Sequence, residues 1–206
     1  DLLGDEARRS PEWQDGIARL WAWPEPPPLI ARYLGAVRAL NADGGLQTYP
    51  GSPCLVVNEL REDDVLNACE LHPEDVADLR LLLGRGGNSR VHARDGWEAL
   101  GALLPPPQRR GLVLIDPPYE APDELGHTAR ALGPALNRFG HGMYLWWRPL
   151  KNDAALNAAD SEARAQGAKE TLRADLWVAQ PTPDGRLVGS SVFLINPPFG
   201  LREALK

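Results

Sequence analysis

Apolar and polar positions along the chain follow two spacings, and these spacings predict a mixture of helices and strands. Short apolar runs bounded by Gly, Pro or Asp are typical of strands, whereas apolar residues three and four positions apart are typical of helices. The predicted strands are 65–71, 89–93, 112–115, 142–147, 172–179 and 188–195. The predicted helices are 12–21, 29–40, 52–60, 73–83, 96–103, 122–138 and 150–166.

The order of these elements predicts one α/β domain over residues 1–206. Strands and helices alternate, and Thr182-Pro-Asp-Gly185 is a hairpin signal between the last two strands. We therefore expect a doubly wound sheet with a reversed last strand. The first two helices predict a small helical subdomain at about residues 10–45. Its aromatic residues could form an RNA-stacking surface, but packing in the subdomain core is the favoured interpretation. They are Trp13, Trp21, Trp23 and Tyr33.

One predicted strand ends in an acidic residue. The run from Leu112 to Ile115 is wholly apolar, so we expect a strand that is buried on both faces. Pro117 and Pro118 cannot donate to a sheet ladder and stop the strand. Asp116 is thereby placed at the carboxyl end of a central strand, where open α/β sheets bind their ligands.

The residues after this strand suit a planar amine. The Asp116 carboxylate and the Pro117 carbonyl are hydrogen-bond acceptors, and Tyr119 offers a face on which a base can stack. An exocyclic nucleobase amine has two N–H groups and a delocalised lone pair, so acceptors on both N–H groups favour its attack on a methyl donor. The alternative interpretation is a strand that simply ends in a proline turn.

A similar sequence, Asn196-Pro-Pro-Phe199, closes the last predicted strand. We expect it to be a strand-ending turn, close to the substrate at most, and not the catalytic motif. A second acidic residue, Glu70, lies at the tip of another strand. It is well placed to accept the ribose hydroxyls of a nucleoside cofactor. The alternative for Glu70 is an acidic residue at the start of a helix that Pro73 begins.

Two further helix starts are candidates for ligand contact. Ser52 precedes Pro53, which predicts that Ser52 is the N-cap of a helix. Asp95 follows a strand and precedes Gly96, so its carboxylate can cap the next helix while Gly96 allows close approach of the backbone. Helix starts with free N–H groups are also suitable positions for ligands.

Composition narrows the classes of function. The net charge is −6, with 43% hydrophobic and 24% charged residues, so the chain is not a polycation and any RNA contact must be local. Cys54 and Cys69 form no metal-type pattern, and no set of His or Cys predicts a metal site. No stretch is apolar enough for a membrane span, and no signal peptide is visible. These features predict a cytoplasmic protein without metal; the sequence leaves its oligomeric state open.

Four segments together resemble one protein family. Asp116-Pro-Pro-Tyr119 is similar to the motif of S-adenosylmethionine-dependent amino-methyltransferases, and the longer run Arg110–Glu120 resembles the 23S ribosomal RNA adenine-N6 methyltransferases. The segments Tyr49–Pro53, Glu70–Pro73 and Ala93–Trp97 agree with the same family in order and spacing. The resemblance implies a Rossmann-like class I methyltransferase fold with an inserted helical subdomain.

The resemblance also implies roles for individual residues. A flipped-out adenine stacks on Tyr119 and presents its N6 amine to Asp116 and to the Pro117 carbonyl. S-adenosylmethionine, the methyl donor, is contacted by residues of four segments. These residues are Ser52, Glu70, Asp95, Gly96 and Asp116. The partner is 23S ribosomal RNA, whose phosphates Arg109, Arg110, Arg148 and Lys151 could contact, unless these are ordinary surface charges.

Two alternatives stay open at this point. The same fold could methylate DNA adenine or a protein amide, or the chain could be a non-catalytic RNA-binding module. In the resembled family an amino-terminal strand, a Gly-rich turn and a His-containing segment wrap the methionine half of the donor. None of these is in this sequence, so we expect the natural protein to be longer at its amino end.

Overall fold

The computed structural model describes residues 2–4, 7, 12–84, 87–151, 153–181 and 186–205. The chain forms two compact units, Asp1–Gly96 and Trp97–Lys206. Each unit combines helices with its own β-sheet, which confirms the α/β class. The predicted turn Thr182-Pro-Asp-Gly185 lies outside the described residues.

The first unit begins with three helices that pack around a small apolar core. They are α1 (Glu12–Asp15), α2 (Ile17–Trp21) and α3 (Pro28–Ala39). Gly16 interrupts the single helix predicted for residues 12–21, which explains why α1 and α2 are separate. The core contains Ile17, Leu34 and Val37, and Trp13, Trp21 and Tyr33 pack against it. Core packing of this aromatic set is thus confirmed for three of its members, while Trp23 is 42% exposed.

The remainder of the first unit is a parallel two-stranded sheet with flanking helices. Its elements are α4 (Ser52–Val57), β1 (Leu66–Glu70), α5 (Pro73–Leu83) and β2 (Ser89–Ala93). Strands β1 and β2 are parallel and in register from Leu66↔Ser89 to Glu70↔Ala93. A parallel pair needs a crossover connection, which α5 supplies. Because the strands are parallel, the residues that follow Glu70 and Ala93 emerge at the same edge of this sheet.

The second unit is built on a four-stranded mixed sheet in the order β3-β4-β6-β5. Its elements are α6 (Gly96–Leu103), β3 (Leu112–Ile115), α7 (Glu124–Arg138), β4 (Met143–Leu150), α8 (Asp153–Ala165), β5 (Thr171–Trp177), β6 (Gly189–Ile195) and α9 (Leu201–Ala204). β3 is parallel to β4, while β6 is antiparallel to both β4 and β5. The predicted reversal of the last strand is confirmed.

One face of this sheet is the core of the second unit. Side chains at alternate positions of β4 point inward, in accord with the two-residue period of a strand. Tyr144 and Trp146 pack with Phe193 of β6 beneath buried apolar residues of α7 and α8. These helix residues include Ala129, Leu132, Ala135, Leu136, Ala159 and Ala163. Small Ala side chains let the helices approach the large aromatic rings of the strands closely.

The prediction that residues 112–115 are buried on both faces is wrong. Ile115 is 6% exposed and belongs to the core, but Leu112 and Leu114 on the other face are 57% and 42% exposed. β3 is an end strand of the four-stranded sheet, and the core of the unit covers only one of its faces. An apolar run without polar alternation cannot show which of its faces is covered.

Candidate active site

Asp116 lies directly after β3, as predicted. β3 and β4 are parallel with Ile115 paired to Trp146, so Asp116 leaves the sheet at its carboxyl edge beside the second half of β4. Asp116 is exposed, and no hydrogen bond or ion pair joins its carboxylate to the described part of the chain. Partial desolvation raises the pKa of this carboxyl group above its ordinary value. A carboxylate without an internal partner has its acceptor capacity available for a ligand.

Tyr119 is held by its hydroxyl group. The indole Nε1–H of Trp146 donates to the Tyr119 oxygen at 2.7 Å, and the hydroxyl donates to the carbonyl oxygen of Trp147. The Tyr119 and Trp147 rings meet edge to face with centroids 5.7 Å apart. Burial, with a smaller contribution from the nearby charge of Asp116, raises the pKa of the Tyr119 hydroxyl, so it stays protonated at neutral pH. The sequence contained no signal for Trp146 as the partner of Tyr119.

The backbone of the motif has an unusual conformation at Tyr119. Its φ is +58°, in the left-handed region that large side chains rarely adopt. Such a residue costs about 1–3 kcal/mol and persists only when its surroundings determine it. Pro117 is half-buried and Pro118 exposed, and their rings fix φ over the two preceding residues. The loop therefore carries Asp116, the Pro117 carbonyl and Tyr119 on a rigid backbone.

Glu70 lies at the carboxyl end of β1, as predicted. Its Oε1 accepts hydrogen bonds from the backbone N–H groups of Leu71 at 2.7 Å and His72 at 2.9 Å. These bonds fix the carboxylate at the start of α5, so Glu70 is both a strand-end residue and an acidic residue ahead of a helix. Its role as a ligand of the cofactor ribose stays a prediction. The second oxygen, Oε2, is in no hydrogen bond with the described residues.

Asp95 and Gly96 lie two and three residues beyond the end of β2. The backbone N–H of Arg94 donates to the Glu70 carbonyl at 3.0 Å, so the segment after β2 runs beside the end of β1. The structure therefore brings Glu70 and Asp95 to the same edge of this sheet. Gly96 opens α6, and a Cβ at this position would meet no atom within 4 Å. The capping role of Asp95 stays a prediction.

The prediction that Ser52 is a helix N-cap is wrong. Gly51 is the N-cap of α4, and Ser52 is its first residue, with Pro53 next. Gly51 has extended dihedral angles (φ −67°, ψ 161°), which any residue including Gly can supply at an N-cap. The Ser52 side chain is exposed and makes no cap hydrogen bond. Its hydroxyl at a helix start is thus available to another group, but the cap itself needs no side chain.

A surface depression of about 370 Å³ in the first unit is not at these residues. It is lined by the end of α4 and by Asn88 and Ser89, where β2 begins. Parallel strands place this depression at the amino end of the sheet, whereas Glu70 and Asp95 lie at its carboxyl end. Open α/β sheets bind their ligands at the carboxyl ends of the strands, which favours the latter edge as a ligand site.

Arg148, one of the four basic residues expected to reach RNA phosphates, does not do so. It is fully buried, pairs with Asp160 and donates to the Ser191 hydroxyl at 2.9 Å. Its guanidinium group stacks 5.0 Å from the ring centroids of both Trp146 and Phe193. Burial lowers the pKa of Arg148, and the carboxylate of Asp160 opposes that shift. Arg109, Arg110 and Lys151 are exposed.

Asn196, in the second Pro-Pro motif, is occupied with holding the fold. Its amide nitrogen donates to the carbonyls of Gly140 at 3.0 Å and Gly142 at 2.7 Å. Because β6 is antiparallel to β4, Ile195 pairs with Tyr144, near the start of β4. Asn196 therefore leaves the sheet at the edge opposite to Asp116. The expectation of a strand-ending turn is confirmed, whereas closeness to the site of Asp116 is not supported.

Comparison with known proteins decides the family. Over residues 1–206 the chain matches the family model described as "Ribosomal RNA large subunit methyltransferase D, RlmJ". The chain belongs to this family. It is 35% identical to Ribosomal RNA large subunit methyltransferase J of Escherichia coli (strain K12), covering 98% of this chain and 73% of that protein. It is 34% identical to the protein of the same name from Haemophilus influenzae (strain ATCC 51907 / DSM 11121 / KW20 / Rd), covering 100% and 73%.

The chain is also similar to a solved structure, that of protein LPL1258 from Legionella pneumophila str. Philadelphia 1. It superposes with a TM-score of 0.84 at 32% identity, over 94% of this chain and 72% of that one. Family membership confirms the sequence-based identification and the predicted activity, a methyltransferase acting on large-subunit ribosomal RNA. Such an enzyme requires a methyl donor.

Over residues 12–84, 87–151, 153–181 and 186–205, together with the few described before them, no three His, Cys, Asp or Glu side chains are grouped so as to hold a metal ion. Within the same part of the chain, no helix has the length and apolar character that crossing a membrane requires.

Proposed function

We propose that this protein transfers the methyl group of S-adenosylmethionine to the N6 amine of an adenine in 23S ribosomal RNA, with Asp116, Pro117 and Tyr119 as its catalytic residues. The observation that carries the proposal is the Asp116 carboxylate at the carboxyl end of β3, which has no internal partner among the described residues. Asp116 directly follows Ile115, which pairs with Trp146, the residue that donates to the Tyr119 hydroxyl. The family name fits this activity.

The chemistry assigned to these residues follows from their acceptor groups. The lone pair of the adenine amine is delocalised into its ring, which makes the nitrogen a weak nucleophile. Hydrogen bonds from its two N–H groups to the Asp116 carboxylate and the Pro117 carbonyl favour a more tetrahedral nitrogen. Tyr119 stacks on the base and fixes its orientation, a contribution of about 1–3 kcal/mol.

The carboxylate of Asp116 also stabilises the positive charge that develops on N6 during the reaction. S-adenosylmethionine, when bound, supplies an electrophilic methyl group on a sulfonium. As the new N–C bond forms, positive charge moves onto N6, where Asp116 stabilises it. One N6 proton then leaves, so that the products are N6-methyladenine, S-adenosylhomocysteine and a proton. Proton release to Asp116 or to water gives the same overall balance.

Residues of the first unit suit the nucleoside of the donor. The fixed Glu70 carboxylate keeps Oε2 for the ribose hydroxyls, and Asp95 provides an acceptor for the adenine amino group. Gly96 leaves open space for close approach, and the exposed Ser52 hydroxyl lies at a helix start. We assign Ser52, Glu70, Asp95, Gly96 and Asp116 to donor binding on these grounds.

We infer one Rossmann-like class I methyltransferase domain over residues 1–206, with a helical subdomain at about residues 10–45. Two parallel strand pairs, β1–β2 and β3–β4, and the reversed strand β6 support it. We further propose that the protein acts in the cytoplasm, where ribosomal RNA is its partner, and that Arg109, Arg110 and Lys151 contact RNA phosphates.

A substrate panel tests this function. The full-length protein is incubated with labelled S-adenosylmethionine and either unmodified 23S ribosomal RNA, adenine-containing DNA or a total protein extract, and the labelled product is digested and identified. We expect N6-methyladenosine from the RNA alone. Label in DNA or in a protein amide would replace the proposed substrate. Calorimetry that shows RNA binding without donor binding would identify a non-catalytic RNA-binding module.

A further inference from the structure

The Tyr119 hydroxyl accepts a hydrogen bond from the buried indole N–H of Trp146. Trp146 is 0% exposed, and its indole Nε1–H, which can only donate, points at the Tyr119 oxygen at 2.7 Å. A buried N–H without an acceptor is costly, so the pairing of Trp146 with Tyr119 satisfies both residues. The second bond, from the Tyr119 hydroxyl to the Trp147 carbonyl, fixes the hydroxyl between two neighbouring residues of β4.

Trp146 itself is held in one position. Its ring meets Phe193 edge to face at 6.3 Å, and the Arg148 guanidinium group lies 5.0 Å from its ring centroid. Arg148 is in turn fixed by Asp160 and Ser191. The indole N–H is therefore a rigid donor on a packed strand, and Tyr119 is the member of the pair that comes from a loop.

The second Pro-Pro motif provides an internal contrast. Phe199 occupies the position that corresponds to Tyr119 but has no hydroxyl, and its side chain is fully exposed at 108% of the reference value. Tyr119 is half-buried and tolerates a left-handed φ of +58°. The two hydrogen bonds of the Tyr119 hydroxyl are bonds that a Phe side chain cannot make.

We propose that Trp146 is a positioning residue for methyl transfer, which acts through the Tyr119 hydroxyl to fix the aromatic ring on which the target adenine stacks. This proposal rests on the proposed function. In this proposal the ring of Tyr119 stacks on the adenine, and its hydroxyl group holds the ring in place through hydrogen bonds to β4. Removing the indole N–H of Trp146 or the hydroxyl group of Tyr119 leaves the stacking ring in place but loosens its orientation.

A double-mutant cycle on the full-length protein tests the proposal. Trp146→Phe keeps an aromatic ring against Phe193 and removes the donor, while Tyr119→Phe keeps the stacking ring and removes the acceptor. Single-turnover methylation of 23S ribosomal RNA should slow about tenfold in each variant, as expected when one orienting hydrogen bond is lost. The double variant should be no slower than Tyr119→Phe, because both changes break the same bond. RNA affinity should change less than the rate does.

A spectroscopic signature makes the test independent of activity. The indole N–H resonance that disappears in Trp146→Phe should move upfield in Tyr119→Phe, whereas the indole resonances of Trp residues that do not contact Tyr119 stay in place. Trp177→Phe is the matched control, since it makes the same chemical change at an exposed Trp of β5 and should leave both rate and the Trp146 resonance unaltered. If Trp146→Phe fails to fold, the Tyr119→Phe variant still gives both measurements.

The outcomes separate the two proposals. Three outcomes would overturn the positioning role of Trp146: multiplicative rate losses in the double variant, a wild-type rate in Tyr119→Phe, or an unmoved Trp146 resonance. The proposed function would still stand if the wild-type protein methylated the RNA. Absence of methylation by the wild-type protein would overturn the proposed function itself. In that case a shifted Trp146 resonance would show a bond that only holds the fold.

Discussion

The chain contains two Pro-Pro motifs at the ends of two strands, and the structure uses them in opposite ways. Asp116-Pro-Pro-Tyr119 leaves its carboxylate without a partner among the described residues and fixes its aromatic ring by a hydroxyl group. Asn196-Pro-Pro-Phe199 commits its amide to two backbone carbonyls and exposes its aromatic ring completely. The Asp116 carboxylate is available to a ligand, whereas the Asn196 amide is used in hydrogen bonds that stabilise the fold.

The backbones of the two motifs differ in the same sense. The left-handed residue is the last one, Tyr119, in the first motif, and the first one, Asn196, in the second, with φ values of +58° and +53°. Asn tolerates this conformation well, whereas a large aromatic residue does not. Strain is thus present where we place the chemistry and is nearly absent where the motif is structural, which is the usual distribution in proteins.

The largest expected effect is on activity in the first motif. Replacing Asp116 by Ala removes the proposed acceptor for the adenine amine, and methyl transfer should slow by at least about 10²–10³-fold. RNA binding should remain close to wild type, because the proposed phosphate contacts are made by Arg109, Arg110 and Lys151 and not by Asp116. Single-turnover methylation and a filter-binding assay measure the two quantities. Turnover near the wild-type rate in Asp116→Ala would remove the basis for treating the two motifs differently.

The matching change in the second motif should affect stability. Asn196→Ala leaves the carbonyls of Gly140 and Gly142 without this donor, and the free energy of unfolding should fall by about 1–3 kcal/mol. Methylation per folded molecule should be unchanged. Urea denaturation gives the first quantity and specific activity the second. Asn196→Gly, which accepts the positive φ without strain but also lacks the amide, separates the loss of hydrogen bonds from backbone strain.

A smaller effect concerns the pH dependence of Asp116. Its pKa is raised in the folded protein, so the folded state keeps the proton at pH values where the unfolded chain has already lost it. Stability from this group is therefore lost as pH rises from the ordinary Asp pKa, about 3.9, through the raised value. Asp116→Asn should slightly stabilise the protein at neutral pH and not at acid pH, as urea denaturation at both pH values would reveal.

The same shift predicts the acid limb of activity. Because the ionised carboxylate is needed, the rate of methyl transfer should begin to fall at a pH above the ordinary Asp range. If the rate falls only near the ordinary Asp pKa, a different group causes the acid limb. The same conclusion follows if the residual activity of Asp116→Asn shows an unchanged acid limb. A pH profile of the single-turnover rate provides this measurement.

The smallest expected effect is at the exposed ring of the second motif. Phe199 has no buried contact to lose, so Phe199→Ala should change the free energy of unfolding by no more than about 0.5 kcal/mol and leave methylation unaltered. Thermal denaturation and the methylation assay measure both. A marked loss of activity in this variant would show that the second motif takes part in substrate contact.

Local sequence patterns determined much of this protein. Apolar spacing identified the helices and strands, and the proline pair fixed where β3 stops and hence that Asp116 follows it. Glu70 and Asp95 were placed at strand ends by the same reasoning, and four short motifs identified the family. These features depend on residues close to one another in the chain, where spacing and backbone geometry act directly.

Only the tertiary structure decided which polar side chains are paired with other groups of the protein. The sequence suggested that Arg148 is a surface charge. In the structure this β4 residue is fully buried, paired with Asp160 and packed against the rings of Trp146 and Phe193. The two Pro-Pro motifs separate to opposite edges of one sheet because β6 runs antiparallel to β4. The bond from Trp146 to Tyr119 joins residues 27 positions apart. Such pairings arise from strand order and direction, which bring distant residues together, and a local pattern does not encode them.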